Sequence, residues 1–286
     1  ILTAQMGLET EQVDYTAAFV HADIDSEVYV DMPRGFSQPG KVLKLRKSLY
    51  GLRQSPKNWF AHLSTNLQAV GFVPATEVDP CLFISPKVIC LVYVDDTLLY
   101  AKKKEDIDEV LTALRARDMV LEEEEDVAGF LGVDIDKKTY PGKICLTQTG
   151  LTDRIIQALH CEDLPEVDTP ATECLGKDEH GEPATCDFSY ASVIGMLWYL
   201  YGHSRTDLGF AVSQCARFAF QPKRSHELAL IRIGQYLKKT RKQGLIMEPI
   251  STEHFQMDAY VDADLWDYMV RRPELILTMS KAEQAL

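Results

Sequence analysis

Two adjacent carboxylates, Asp95 and Asp96, interrupt the otherwise uncharged and mostly apolar stretch LVYVDDTLLY (Leu91–Tyr100). Acids this close repel one another, so either one proton is retained or a cation sits between them. Hard oxygen donors of this kind suit Mg²⁺. A two-metal site for phosphoryl transfer usually draws a further carboxylate from a second strand. Asp14, at the end of a strand-like segment in EQVDYTAAFV, is the natural supplier. The plainer alternative is a simple turn, where Asp is common, with Asp14 an ordinary strand-end acid.

The flanking residues say which elements would hold these groups. VICLVYV and TLLYA read as two apolar strands joined by a tight turn at Asp95–Asp96. Gln12–Tyr15 reads as a strand end. SPKNWFAHLSTNLQAVG predicts a helix capped by Ser55, with Pro56 at its first position and Gly71 as its stop. Its apolar face is Trp59, Phe60, Leu63, Leu67 and Val70. EDIDEVLTALRAR predicts an amphipathic helix with Ile107, Val110, Leu111 and Leu114 inward. FLGVDID predicts a short strand, and KKTYPGKICLTQ a hairpin turning at Pro141–Gly142. Beyond Thr149 the period is helical, over roughly 151–159, 190–201, 207–218 and 225–239, around a polar linker (LPEVDTPATECLGKDEHGEPATC). The expected fold class is α+β, with a mostly helical rear half.

Composition bounds the function. At 286 residues, 46% hydrophobic and 26% charged, the chain is ordinary globular protein with room for two domains. No apolar run reaches the roughly 18 residues of a membrane span. The start, ILTAQMGLET, lacks an initiator Met, a basic region and an apolar region, so no signal peptide and a beginning inside a longer protein are expected. Seven scattered cysteines without a C-x-x-C pair argue for a reducing compartment and against a disulfide framework or zinc site. The histidines, His203 and His226 included, lack metal-ligand spacing.

The net charge of −13 by itself argues against a nucleic-acid partner, but the charge is segregated. Met32–Thr76 holds seven basic residues (Arg34, Lys41, Lys44, Arg46, Lys47, Arg53, Lys57) and no acid. Gly209–Met247 holds eight basic residues against Glu227 alone, and twelve acids lie between Glu105 and Asp136. Such segregation gives an acidic protein one basic face, or else leaves EEEED (Glu122–Asp126) a solvated loop and the lysines plain surface.

VDYTAAFVHADIDSEVYVDMPRGF, LKLRKSLYGLRQSPKNWF and LVYVDDTLLY resemble, in order and spacing, the reverse transcriptase of copia-type LTR retrotransposon polyproteins. FLGVDI, GKICLTQTGLTDRII, VDTPA and the long segment from YASVIGMLWYLYGH to KKTRKQGL agree, so the resemblance runs to about Met247. It implies a polymerase palm, an antiparallel sheet with helices on one face, over residues 1–136 with partial fingers. A mostly helical thumb and connection follows over 137–250, and the truncated start of a ribonuclease H-like domain over 251–286. It implies RNA-directed DNA polymerase activity with two Mg²⁺ (or Mn²⁺) held by Asp14 and Asp95, supported by Asp96 and the Tyr15 carbonyl. One ion would activate the primer 3′-hydroxyl and the other would hold the triphosphate.

The same resemblance puts backbone amides near Ala17 and Ala18 at the triphosphate and makes Phe19 the aromatic gate against a ribose 2′-hydroxyl. It sets Tyr50, Gly51 and Arg53 in a loop facing the incoming nucleotide. Phe19 and Tyr50 as core aromatics, and Arg53 as a solvated arginine, are the competing readings; Trp59 and Phe60 read as core. Leu131 and Gly132 match the primer grip, and the basic tract Arg217–Lys242 matches the part that holds the template–primer backbone. Partners would be an RNA template, a DNA or RNA primer, deoxynucleoside triphosphates and the other polyprotein parts (capsid, protease, integrase), with no membrane. The setting would be a cytoplasmic virus-like particle with nuclear entry.

The chain departs from the pattern in three places. The family has more sequence before Asp14, building most of the fingers. Ala22 stands where the family favours Gly. YVDADLW resembles the opening ribonuclease H strand, with Asp262 as its first carboxylate, but DYMVRRPELILTMSKAEQAL does not continue it, so no ribonuclease H activity is expected. A degenerate nucleic-acid-binding relative, another two-metal palm enzyme such as a nucleotide cyclase, and a structural α+β protein remain the competing readings.

Overall fold

The computed structural model describes residues 2–36, 38–124, 129–139 and 142–248; Asp262 and the expected ribonuclease H-like start lie outside them. In chain order the strands are β1 (Glu9–Tyr15), β2 (Tyr29–Val30), β3 (Leu43–Lys44), β4 (Val73–Pro74), β5 (Leu82–Ile84), β6 (Val88–Tyr93), β7 (Asp96–Ala101), β8 (Leu121–Glu124), β9 (Gly129–Phe130), β10 (Val133–Asp136), β11 (Ile144–Thr147) and β12 (Leu245–Met247). The helices are α1 (Leu2–Met6), α2 (Ser55–Ala69), α3 (Lys104–Arg115), α4 (Thr149–Ala158), α5 (Tyr190–His203), α6 (Gly209–Ala216) and α7 (Arg224–Lys239).

Along β6, Val88, Cys90 and Val92 are fully buried while the alternate residues are not, the period of a strand with one face on a core. The main sheet runs β4-β5-β6-β7-β1-β8, with every neighbouring pair antiparallel. Its inner face meets the expected stripes of two helices: Trp59, Leu63 and Leu67 of α2, and Ile107, Leu111 and Leu114 of α3. Phe60, Val70 and Val110 pack at the margin of the same core. Glu11, on the inner face, is ion-paired to Lys104 of α3. On the outer face the second sheet, β12-β11-β10-β9, covers the end of β1 and β7 remote from their junction, with Thr10, Leu98 and Tyr100 across a small cavity from Ile135, Ile144 and Leu146.

Three local expectations need correction. The β6–β7 loop is Val94–Asp95, not Asp95–Asp96, because the ladder closes at Tyr93 opposite Asp96. Ser55 is not the N-cap of α2. It is the first helical residue, and its hydroxyl turns back to donate to the Leu49 carbonyl (2.7 Å) and accept from the Leu49 amide (3.1 Å). FLGVDID is a hairpin rather than one strand: β9 and β10 pair around Leu131–Gly132, both with positive φ (53° and 72°), which the two-residue reversal requires. The β10–β11 pairing bears out the next hairpin, although Pro141 lies outside the described residues.

The rear helices occur where the 3.6-residue period predicts them and share a second core, including Ile155, Leu197, Leu200, Val212, Leu230, Ile233 and Leu237. Arg205, only 2% exposed, ties this layer together. Its guanidinium donates to the Asp207 carboxylate (3.0 and 2.8 Å) and to the carbonyl and hydroxyl oxygens of Thr240 (3.0 and 2.8 Å).

Candidate active site

Strand β1 is sandwiched between β7 and β8, and the register sets Asp14 directly opposite Asp96 on one side and Glu122 on the other. Residues directly opposite in antiparallel strands project from the same face. Asp14, Asp96 and Glu122 therefore share the outer face, while Val13 and Tyr15 are buried on the inner one. Asp95 sits in the adjoining loop, its carbonyl accepting from the Tyr15 amide (3.4 Å). Burial raises the pKa of the Asp14 carboxyl, and the charges of Asp95 and Glu122 raise it further. The two aspartates are 81 positions apart in the sequence (95 − 14) yet feel one another.

Glu122 is the member of this cluster that sequence reasoning missed. It lies in the acidic run read as a solvated loop, and only its pairing with β1 reveals it. Thr16 Oγ1 donates to it (3.3 Å).

Among the described residues, no three or more His, Cys, Asp or Glu side chains converge as a ready-made cation cage. Burial is the main cause of the raised Asp14 pKa, and the carboxylates of Asp95 and Glu122 add to it; carboxylate oxygens are hard donors of the kind a divalent cation accepts. Any fit to a divalent cation here is one of donor chemistry and charge.

The loop carrying Asp95 is unusual in its backbone. Val94 has φ 58°, a region that costs a β-branched residue about 1–3 kcal/mol. Hairpin loops that need such a φ normally recruit glycine. The Val94 carbonyl accepts a hydrogen bond from the indole N–H of Trp59, which is buried in α2. The same indole meets the Tyr15 ring edge-on, centroids 5.2 Å apart.

Phe19 and Tyr50 come together: their rings are tilted by 36° with centroids 4.5 Å apart. Phe19 is partly buried against the front core, whereas Tyr50 is 52% exposed, so the pair forms a wall with one wet side. Ala17 (φ 54°) introduces a short 3₁₀ turn over Ala18–His21, which presents Phe19, and Ala18 is buried beneath it. Gly51 has φ +94°, which explains a glycine there. Arg53 is exposed in the following turn.

A family described as reverse transcriptase (RNA-dependent DNA polymerase) matches residues 1–173. The chain belongs to the reverse transcriptase family. It is 29% identical, over 92% of its length, to the retrovirus-related Pol polyprotein from transposon TNT 1-94 of Nicotiana tabacum, and 33% identical, over 88%, to that from transposon RE2 of Arabidopsis thaliana. It spans 21% and 17% of those two proteins, respectively. It also covers 82% of a putative transposon Ty5-1 protein of Saccharomyces cerevisiae, at 27% identity. These relatives agree with the copia-type resemblance read from the motifs.

Ala22, which departs from the reverse transcriptase pattern, and the basic rear tract, which matches it, both have defined surroundings. Ala22 has φ −82° and is 1% exposed, so the backbone there does not require glycine and the methyl group is core. In the basic rear tract many cations make intramolecular contacts: Lys223 with the Gly181 carbonyl, Arg224 with Glu227, Arg232 with Thr169, Lys238 with the Leu164 carbonyl, Lys239 with Asp168 and Arg241 with Asp153. The tract thus stitches α7 to its surroundings. Leu131 and Gly132 form the β9–β10 tip, where the Tyr199 hydroxyl of α5 donates to the Leu131 carbonyl.

Proposed function

We propose that this chain is the nucleotidyl-transfer region of a copia-type RNA-directed DNA polymerase, with Asp14, Asp95 and Asp96 as its catalytic carboxylates. The observation that carries the reading is the β1–β7 register, which brings Asp14 opposite Asp96 and beside Asp95. Two Mg²⁺ ions, with Mn²⁺ as a substitute, would supply Lewis-acid activation of the primer 3′-hydroxyl and charge neutralisation on the triphosphate. Asp14 and Asp95 hold that charge in place, the Tyr15 carbonyl adds a neutral donor, and Asp96 deepens the negative potential. Backbone amides at Ala17 and Ala18, with Arg53 and the Gly51 turn, line the triphosphate side. The Phe19–Tyr50 wall faces the sugar, and the Leu131–Gly132 tip supports the primer end.

In this reading residues 1–136 act as palm with partial fingers and 137–250 as thumb and connection. An RNA template, a primer and deoxynucleoside triphosphates are the partners, and the parent polyprotein supplies the rest. Primer extension on an RNA template with Mg²⁺ tests it. Template-directed incorporation that disappears in Asp95→Asn supports polymerisation. Retention of an RNA–DNA hybrid in a gel shift without any incorporation identifies instead a nucleic-acid-binding remnant of such an element.

A further inference from the structure

Trp59 touches both the β6–β7 loop that carries Asp95 and the strand β1 that carries Asp14. Its indole N–H bonds the Val94 carbonyl, one residue before Asp95, and its ring packs on Tyr15, one residue after Asp14. Its own position is rigid: it is 1% exposed, one turn into α2, whose first residue, Ser55, is clamped to Leu49. The atom it holds belongs to a residue in a backbone conformation that valine disfavours. An unsupported Val94 would relax toward negative φ, and the Asp95 carboxylate would turn with the peptide.

We infer that the Trp59 indole N–H is a positioning group that locks the strained Val94 loop so that Asp95 and Asp14 present one divalent-cation site. The ring of Trp59 serves the core; its nitrogen serves the site. A phenylalanine would fill most of the same volume but donate nothing. The inference rests on the proposed role of Asp14 and Asp95, and its test separates the two.

Mn²⁺ binding to the full chain is measured by the loss of the free-ion electron paramagnetic resonance signal, with thermal melting recorded on the metal-free protein. Asp95→Asn is the control for the site itself: if it leaves Mn²⁺ binding unchanged, the carboxylate assignment fails and this inference falls with it. With that control positive, Trp59→Phe is expected to weaken Mn²⁺ about tenfold, the lower end for loss of a group that orients a metal ligand. Val94→Gly in the Trp59→Phe background removes the Cβ strain, so the loop keeps its positive φ without the bond, and affinity returns to within about threefold of wild type.

If Trp59→Phe does not fold, benzothienylalanine at position 59 keeps the bicyclic shape and deletes only the donor, and the same loss is expected. Wild-type Mn²⁺ affinity in the folded donor-less variant would overturn the inference. So would a loss of affinity that Val94→Gly does not repair, since that marks general core damage.

Discussion

Asp14 and Asp96 stand directly opposite one another across the β1–β7 ladder, with Glu122 opposite Asp14 on its other flank. Three acids in a row across three strands are unfavourable for a sheet, because like charges in directly opposed positions destabilise it. A divalent cation of the kind the proposed function calls for would offset that repulsion.

The strain has a measurable sign. The Asp14 pKa is raised, first by burial and then by Asp95 and Glu122, so the folded state holds that proton more tightly than the unfolded chain. Stability is then lost as pH rises from the ordinary carboxylate range through the raised value. Asp14→Asn is expected to raise the metal-free melting temperature at neutral pH, by ~2 °C at most because solvent screens this partly exposed carboxylate. The same variant should lose cation-dependent turnover by roughly 10³-fold or more. Melting and single-turnover assays on one preparation check both.

The Phe19–Tyr50 contact predicts a change in sugar selectivity. Phe19→Ala removes one of the two touching rings, and in the proposed function that opens space where the sugar would lie. The expected outcome is a gain of tenfold to a hundredfold, about 1–3 kcal/mol, in relative use of ribonucleoside over deoxyribonucleoside triphosphate. The ratio of kcat/KM values for the two substrates measures it. Tyr50→Ala, which removes the other ring of the pair, is expected to act in the same direction.

In the rear layer, Arg205 predicts stability rather than activity. Arg205→Ala leaves the partly exposed Asp207 without its guanidinium, strands the Thr240 oxygens and empties a buried site, at a cost of about 1–3 kcal/mol by denaturant unfolding. Burial pushes the Asp207 pKa up, but the hydrogen bonds and charge of Arg205 and the Tyr236 hydroxyl outweigh it, and the net shift is downward. The stabilisation from Asp207 is therefore fully present above the ordinary carboxylate range and fades as pH falls through its lowered value. Acid unfolding curves of Asp207→Asn should be flatter than wild type below about pH 4.

What the sequence showed and what it hid follow the range of the forces involved. The stripes on α2 and α3 and the alternation along β6 were legible because burial alone sets their period. The motif spacing singles out Asp14, Asp95 and Asp96 as candidates, and the strand-like EQVDYTAAFV already points Asp14 toward the hairpin. The loop was displaced by one residue because valine gives no warning that it will take φ 58°. The β9–β10 reversal was missed for the same reason, at Leu131. Ser55 carries the signature of a cap but is pulled back to Leu49, a competition between two backbone partners that pattern cannot weigh. Trp59 shows its apolar register but not its N–H partner, since the acceptor lies in a loop 35 positions later. Glu122 looked like solvated charge because an edge strand has no apolar period to announce it.

The most direct test of the account is anomalous diffraction from crystals of the chain with Mn²⁺, a primer–template and an incoming deoxynucleoside triphosphate. Anomalous density is expected to bridge the Asp14 and Asp95 carboxylates, with Mn–O distances near those of an octahedral hard cation, about 2.0–2.2 Å. Density elsewhere in the chain, or none between those two side chains with nucleotide in place, would contradict it.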